Sequence, residues 1–184
     1  MNTVCRGLIQ IPRAPRVIRC HESHGPITFR QAVEASCNVG IIQAAAFLSP
    51  DIFFRSIQNF GFGIQTGVGL PGEEKGILHK PFRWSVISQP SMSIGQEVAV
   101  TNLQIAMAMA AIANGGELLK PQIVKSADTS ASAAPHVVRH VIRPDVARAV
   151  RDLLVSAVED EMATGKKAKV GTVGVGGKTG TAQV

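Results

Sequence analysis

The chain has 184 residues, 45% of them apolar and 17% charged, which is the composition of one globular domain or of part of a larger one. Aromatic residues reach only 4% and tyrosine is absent, so a core must rest on Ile, Val, Leu, Ala and Phe. No apolar run approaches the roughly 18 residues of a membrane span, Arg6, Arg13, Arg16 and Arg19 interrupt any signal-peptide core, and three cysteines build no disulfide framework, so integral membrane protein and secreted disulfide scaffold are excluded for the chain as it stands. The net charge of +6 permits an anionic partner. The basic residues are scattered, however, and the densest cluster, Lys166-Lys167-Ala168-Lys169, reads as a solvated loop. Without aromatic interleaving or zinc-finger spacing, nucleic acid is not an expected partner.

Residues 1–27 read as extended or irregular, broken by Pro12, Pro15 and Gly25-Pro26. Thr28-Phe-Arg-Gln31 is a capping box and opens a helix with Phe29, Ala32 and Val33 on one face. The pattern pauses at Ser36-Cys37-Asn38, residues that favour turns over helix interiors. Val39–Leu48 predicts a second helix, and Ser49-Pro50-Asp51 caps a third over Pro50–Asn59. Glycine then recurs from Gly61 to Gly76 as loop and turn chemistry, and Trp84–Gln96 is mixed and polar. Thr101-Asn-Leu-Gln104 is a second capping box, ahead of a helix stopped by Asn114-Gly115-Gly116. Ser126–Pro135 reads as a mobile loop, Val137–Ile142 as a short strand, and Pro144 to about Met162 as an amphipathic helix. A glycine- and lysine-rich stretch follows, and a strand is expected to begin at Lys178.

Cys20, His24 and Cys37 invite a second reading. Zinc takes three or four Cys or His ligands in tetrahedral array, and these three residues supply three, with the fourth unidentified. The plainer alternative is a buried thiol and a surface turn at His24-Gly25-Pro26.

Two tripeptides carry the chemistry. Ser36-Cys37-Asn38 lies in the break between helices, and Lys178-Thr179-Gly180 follows a glycine run near the end of the chain. Together and in this order they match two of the three signatures of penicillin-recognising serine enzymes. Asn59-Phe-Gly-Phe-Gly63, Thr66-Gly-Val-Gly-Leu-Pro-Gly-Glu73, Ser91-Met-Ser-Ile-Gly95, Val100-Thr-Asn-Leu-Gln104 and Ala113-Asn-Gly-Gly116 follow between them. The chain from about Cys20 to its last residue resembles the transpeptidase domain of class B penicillin-binding proteins, the monofunctional enzymes of elongation, division or sporulation. The resemblance implies an α+β fold, mostly the helical subdomain with an incomplete antiparallel sheet. Residues 1–19 fit the family poorly and are expected to form an irregular N-terminal segment, with 20–184 as a partial transpeptidase domain.

In such a family a serine nucleophile attacks the penultimate D-Ala carbonyl of a peptidoglycan stem peptide and releases the terminal D-Ala. The acyl-enzyme is then taken by an amine of a neighbouring stem, or is formed irreversibly by a β-lactam antibiotic. The resemblance assigns Ser36 a proton relay to the leaving group, Asn38 a hold on the substrate amide, and Lys178 positive charge that tunes the proton network. Thr179, and with it Thr181, would bind the substrate's terminal carboxylate. Gly180 would let the backbone lie close to the ligand, and the Thr181 N–H would supply half of an oxyanion hole. No metal or organic cofactor is required.

One element of the pattern is missing. The family's nucleophile is a Ser followed three residues later by Lys, on a helix N-terminal to Ser36, and no serine in this sequence has Lys at that offset. The expectation is therefore an internal fragment, inactive alone. Its parent would be anchored in the cytoplasmic membrane with this domain outside, working with other wall-synthesis, divisome or elongasome proteins. The alternatives are a non-catalytic scaffold relative in a wall-synthesis complex, and a β-lactamase or penicillin sensor on the same fold.

Overall fold

A computed structural model of the chain describes residues 2–124, 135–161 and 163–180. Its strands are β1 (Asn2–Cys5), β2 (Leu8–Gln10), β3 (Val17–Arg19), β4 (Gly25–Thr28), β5 (Glu117–Leu119) and β6 (Val137–His140). Its α-helices are α1 (Phe29–Glu34), α2 (Asn38–Ala45), α3 (Pro50–Asn59), α4 (Ser88–Ser93), α5 (Asn102–Ala113) and α6 (Pro144–Glu159). The strands pair as three two-stranded antiparallel sheets, β1 with β4, β2 with β3 and β5 with β6. The chain divides into two units, residues 1–53, 79–97 and 151–184, and residues 54–78 and 98–150.

In the first unit, the β2–β3 hairpin is nested in sequence inside the β1–β4 ladder, whose register runs from Asn2 opposite Thr28 to Cys5 opposite Gly25. The ladder ends where the Thr28 hydroxyl accepts the Gln31 N–H at 3.3 Å and Gln31 Oε1 accepts the Thr28 N–H at 2.9 Å, so strand passes straight into α1 through a capping box. Cys5, Ala32, Cys37 and Val39 form the core there, with Ile9, Cys20 and Ile27 packed against it. Helices α1 and α2 meet closely at Gly40, where an added Cβ would lie 2.6 Å from the Cβ of Ala32. At the far end of α2, Gln89 of α4 donates to the Ala45 and Leu48 carbonyls at 3.0 and 2.9 Å, satisfying acceptors that a helix end leaves open. The stretch after α6 bonds back to that helix, the Gly165 N–H donating to the Ala157 carbonyl at 3.1 Å and the Gly177 N–H to the Leu154 carbonyl at 3.0 Å.

In the second unit, Met107, Ala111 and Leu118 form the core with Phe60, Leu103 and Val141. Its polar centre is Gln104, 1% exposed. Gln104 Oε1 accepts the Thr101 N–H at 2.9 Å, closing the second capping box. Gln104 Nε2 donates toward the carbonyls of Gly61, Ile64 and Lys75 at 3.3, 2.8 and 3.0 Å, so one side chain gathers the glycine-rich loop. The loop is closed again by Glu73, whose carboxylate accepts from the Thr66 N–H and hydroxyl, both at 2.5 Å. At Gly76, with φ of +69°, a Cβ would fall 2.2 Å from the Ala99 carbonyl oxygen, so this bridge between residues 77 and 99 requires glycine.

Both capping boxes and the Pro50 and Pro144 helix starts fall where the sequence predicts them. Four elements depart from expectation. Residues 1–27, expected to be extended or irregular, form three strands and most of a fourth. The polar stretch 84–96 holds α4, whose N-cap residue Ile87 offers no side-chain bond, and β5 was not foreseen. No strand begins at Lys178 within the described residues: a strand exists only by pairing, and here Gly177 bonds to the end of α6 instead. Most of the stretch 126–135, and Met162, lie outside the described residues.

Candidate active site

The turn between α1 and α2 builds the site. Ala35 caps α1, the Ser36 N–H donates to the Val33 carbonyl at 3.2 Å, and the Cys37 N–H donates to the Ala32 carbonyl at 2.8 Å. These are the two bonds of a Schellman motif, whose left-handed residue is usually glycine. Here it is Ser36, with φ of +52°. A β-carbon in that region is strained, and such strain concentrates at functional positions. Cys37 then caps α2, its Sγ accepting the Gly40 N–H at 3.4 Å, and Asn38 is the first helical residue.

Ser36 meets the end of the chain in a cluster of hydroxyls and one ammonium. Lys178 Nζ donates to Ser36 Oγ, to Thr179 Oγ1 at 3.2 Å and to the Thr179 carbonyl at 3.3 Å. Ser36 Oγ lies 3.2 Å from Thr164 Oγ1 and 3.4 Å from Thr179 Oγ1, and the two threonine oxygens are 3.0 Å apart. Thr164 Oγ1 donates to the Glu34 carbonyl at 3.3 Å.

The direction of this network follows from its ends. An ammonium only donates and a carbonyl only accepts, so protons point from Lys178 through the hydroxyls toward Glu34. Ser36 receives a hydrogen bond from Lys178 and keeps its own proton to give away. Lys178 is exposed as a residue, yet the groups crowded about its side chain desolvate the ammonium and draw its pKa below the usual lysine value. Beneath the turn, the buried Glu34 carboxylate accepts from the Ser156 hydroxyl of α6 and lies 3.7 Å from Arg30.

The penicillin-binding-protein transpeptidase-domain model matches residues 9–184. The chain belongs to the penicillin-binding-protein transpeptidase family. It is 36% identical over 174 residues to stage V sporulation protein D of Bacillus subtilis, covering 90% of this chain and 27% of that protein. It is 35% identical over 173 residues to penicillin-binding protein PbpB of Mycolicibacterium smegmatis, covering 88% and 26%. The chain thus spans about a quarter of the length of the curated relatives it matches. Among solved structures, a Burkholderia ambifaria protein described as a peptidoglycan glycosyltransferase matches with a TM-score of 0.88 at 30% identity, over 98% of this chain and 55% of that one. The transpeptidase domain of Burkholderia pseudomallei penicillin-binding protein 3 matches with a TM-score of 0.85 at 32% identity, over 95% and 50%. The α+β penicillin-binding-protein fold expected from the motifs is therefore the fold of this chain.

Within this transpeptidase domain the two motifs behave differently. Ser36, Lys178 and Thr179 come together. Asn38 turns its amide elsewhere: Nδ2 donates to the Arg19 carbonyl at the end of β3, at 2.9 Å. Gly180 is exposed, with nothing within 4 Å of where a Cβ would stand, and Thr181 lies outside the described residues. Thr164, Glu34 and Ser156 were missed by sequence reasoning. Thr164 stands 128 residues from Ser36, in a stretch with no recognisable motif, and only the fold joins them.

Behind the same turn, Cys20, His24 and Cys37 also converge, and Cys5 joins them. Burial pushes the Cys5 thiol up, but hydrogen bonds from His24 and from the Gly7 backbone outweigh it, leaving the pKa at about 6. Burial dominates at Cys37 and, with the neighbouring thiols, pushes it up to about 12 despite the Gly40 N–H.

Proposed function

We propose that this domain belongs to a peptidoglycan D,D-transpeptidase of class B type, in which it supplies the second and third signatures of the acyl-transfer site. The observation that carries this reading is the meeting of Ser36 and Lys178, 142 residues apart, through a donor network that ends on a backbone carbonyl. In this reading the serine nucleophile stands in a segment upstream of these residues. As it attacks the penultimate D-Ala carbonyl, its own proton passes to the lysine of the same upstream signature, and the bond to the terminal D-Ala nitrogen breaks. Ser36 gives its proton to that departing nitrogen and takes another from the Lys178 ammonium. The depressed pKa of Lys178 makes it the readier donor.

Lys178 and the Thr179 hydroxyl form the pole that receives the substrate's terminal carboxylate, Gly180 keeps that approach open, and the Thr181 N–H completes the oxyanion hole. Asn38, held at Nδ2 by Arg19, offers its remaining amide groups to the substrate's peptide. The substrate is the stem peptide, and β-lactams are taken as its mimics. The mycobacterial neighbour, penicillin-binding protein 3 of Mycobacterium tuberculosis, was solved with aztreonam and is 28% identical to this chain with a TM-score of 0.80.

The whole protein works at the outer face of a cytoplasmic membrane beside other wall-synthesis proteins. Among the described residues no helix is long and apolar enough to cross a membrane, so an anchor would stand in another segment. Intact mass after incubation with benzylpenicillin tests the reading, on this chain and on one extended upstream through the nucleophile helix. Label on the extended form alone is expected. Label on the 184 residues would make another serine the nucleophile, and label on neither, with both folded, would favour a scaffold role.

A further inference from the structure

Four metal-ligating side chains from four separate points of the chain meet behind the Ser36 turn. Cys5 ends β1, Cys20 follows β3, His24 precedes β4, and Cys37 caps α2. Their ligand atoms all lie within 4.8 Å of one another. Cys20 Sγ is 3.8 Å from Cys37 Sγ, and His24 Nδ1 is 3.4 Å from Cys5 Sγ and 3.7 Å from Cys20 Sγ. A tetrahedral zinc with bonds of about 2.3 Å to sulfur and about 2.05 Å to nitrogen sets edges of about 3.8 Å between sulfurs and about 3.6 Å from nitrogen to sulfur. These three of the six edges match that figure to about 0.2 Å, and the other three lie within 4.8 Å. Cys20 and Cys37 are not joined by a disulfide, their sulfurs standing 3.8 Å apart against about 2.0 Å for a bonded pair.

We propose that Cys5, Cys20, His24 and Cys37 hold one structural zinc ion, which fixes the turn presenting Ser36. Three further features fit that role. Cys5 and Cys37 are buried and all four ligands are protein groups, leaving no open coordination position, as structural sites require. His24 turns Nδ1 toward the sulfurs and leaves Nε2 buried without a hydrogen-bond partner, 3.5 Å from the Glu22 carboxylate, within reach of the outer contact that orients a ligating imidazole. The Gly40 N–H at 3.4 Å directs a donor at Cys37 Sγ, a contact that a metal-bound sulfur keeps. Cys37 is bonded to Ser36, so a metal on its sulfur limits how far the strained serine can relax. The acyl-transfer chemistry itself needs no metal, and this inference stands apart from the proposed reaction.

The test uses the whole chain, reduced, stripped with a chelator and then given Zn²⁺ or Co²⁺. We expect about one zinc retained per chain after desalting, and with Co²⁺ the tetrahedral d–d bands together with thiolate-to-cobalt charge transfer. Backbone hydrogen exchange at residues 36–38 should slow when zinc is added. Cys5→Ser and Cys37→Ser should each lose zinc. Glu22→Gln, at an exposed residue that leaves folding intact, should weaken zinc by about 10- to 100-fold. Any of three results overturns the proposal: no zinc retained by the folded, reduced chain; an octahedral cobalt spectrum without charge transfer; or a Cys20–Cys37 disulfide forming as readily with saturating Zn²⁺ as without it.

Discussion

Replacing Ser36 by Gly and by Ala separates the backbone of the site from its chemistry. The left-handed conformation at φ of +52° costs a β-carbon-bearing residue about 1–2 kcal/mol, and glycine escapes that cost. Against this, glycine loses about 0.5–1 kcal/mol through the freedom it adds to the unfolded chain. Either substitution also removes the hydroxyl from a solvent-facing network, worth about 1 kcal/mol. Ser36→Gly should therefore sit within about 0.5 kcal/mol of the parent, while Ser36→Ala keeps the strain, loses the bond and falls about 1 kcal/mol below it. Trp84, the single tryptophan, lies in the same unit as Ser36, and its ring meets Phe53 edge-on at 6.2 Å, so its fluorescence follows that unit through a urea transition. The expected separation of Gly from Ala is about 0.5 M in midpoint, for a slope of about 2 kcal/mol/M. In the upstream-extended protein both variants should lose about 10²- to 10⁴-fold in penicillin acylation, since neither carries the relay. An Ala variant as stable as the Gly variant would refute the strain argument, and undiminished acylation would remove Ser36 from the proton path.

Gln104→Leu should destabilise the second unit by about 3 kcal/mol, because it strips donors from three carbonyls of the glycine-rich loop and an acceptor from the Thr101 N–H; exchange of the amides around residues 61–76 would report the loss. Gly76→Ala should be worse tolerated than an alanine at Gly69, where nothing lies within 4 Å, and paired thermal melts decide it. Glu73 is held below its ordinary pKa chiefly by the Thr66 hydroxyl, with the backbone N–H groups of Thr66 and Gly67 adding to it. Because the folded value is the lower one, its contribution to the loop is complete above the ordinary value of 4.5 and is lost as pH falls through the folded value; an NMR titration of the Thr66 amide should show that low midpoint, and Glu73→Gln should abolish it. Lys178, after reductive ¹³C-methylation, should titrate below the ordinary lysine value, because the groups around its ammonium desolvate it.

What could be read from residues in order was what neighbours decide among themselves. Thr28 with Gln31 and Thr101 with Gln104 are three apart, so both helix starts were visible without the fold. Strands of three or four residues carry no such local signal, and β1 to β3, separated by stretches holding Arg6, Pro12, Arg13, Pro15 and Arg16, read as extended or irregular chain until their partners were present. The same distinction divides the site. Ser36 and Lys178 were named from their motifs, whereas Thr164 and the backbone of Glu34 complete the network only through packing along α6. Cys5 escaped notice because two nested hairpins, not sequence spacing, bring it to His24.

The nesting of those hairpins orders events during synthesis. Every contact among Cys5, Cys20, His24 and Cys37 closes within the first 40 residues, whereas Lys178 reaches Ser36 across a separation of 142. At about 5–20 residues per second, the second event trails the first by roughly 7–30 seconds. For that interval the nascent chain holds all four residues of the cysteine–histidine cluster, and Ser36 has no lysine to meet it. The order of the chain thus lets the thiols of this domain meet before Lys178 is made, in whichever compartment the first hairpins meet, and the reactive end of the molecule is added to them last.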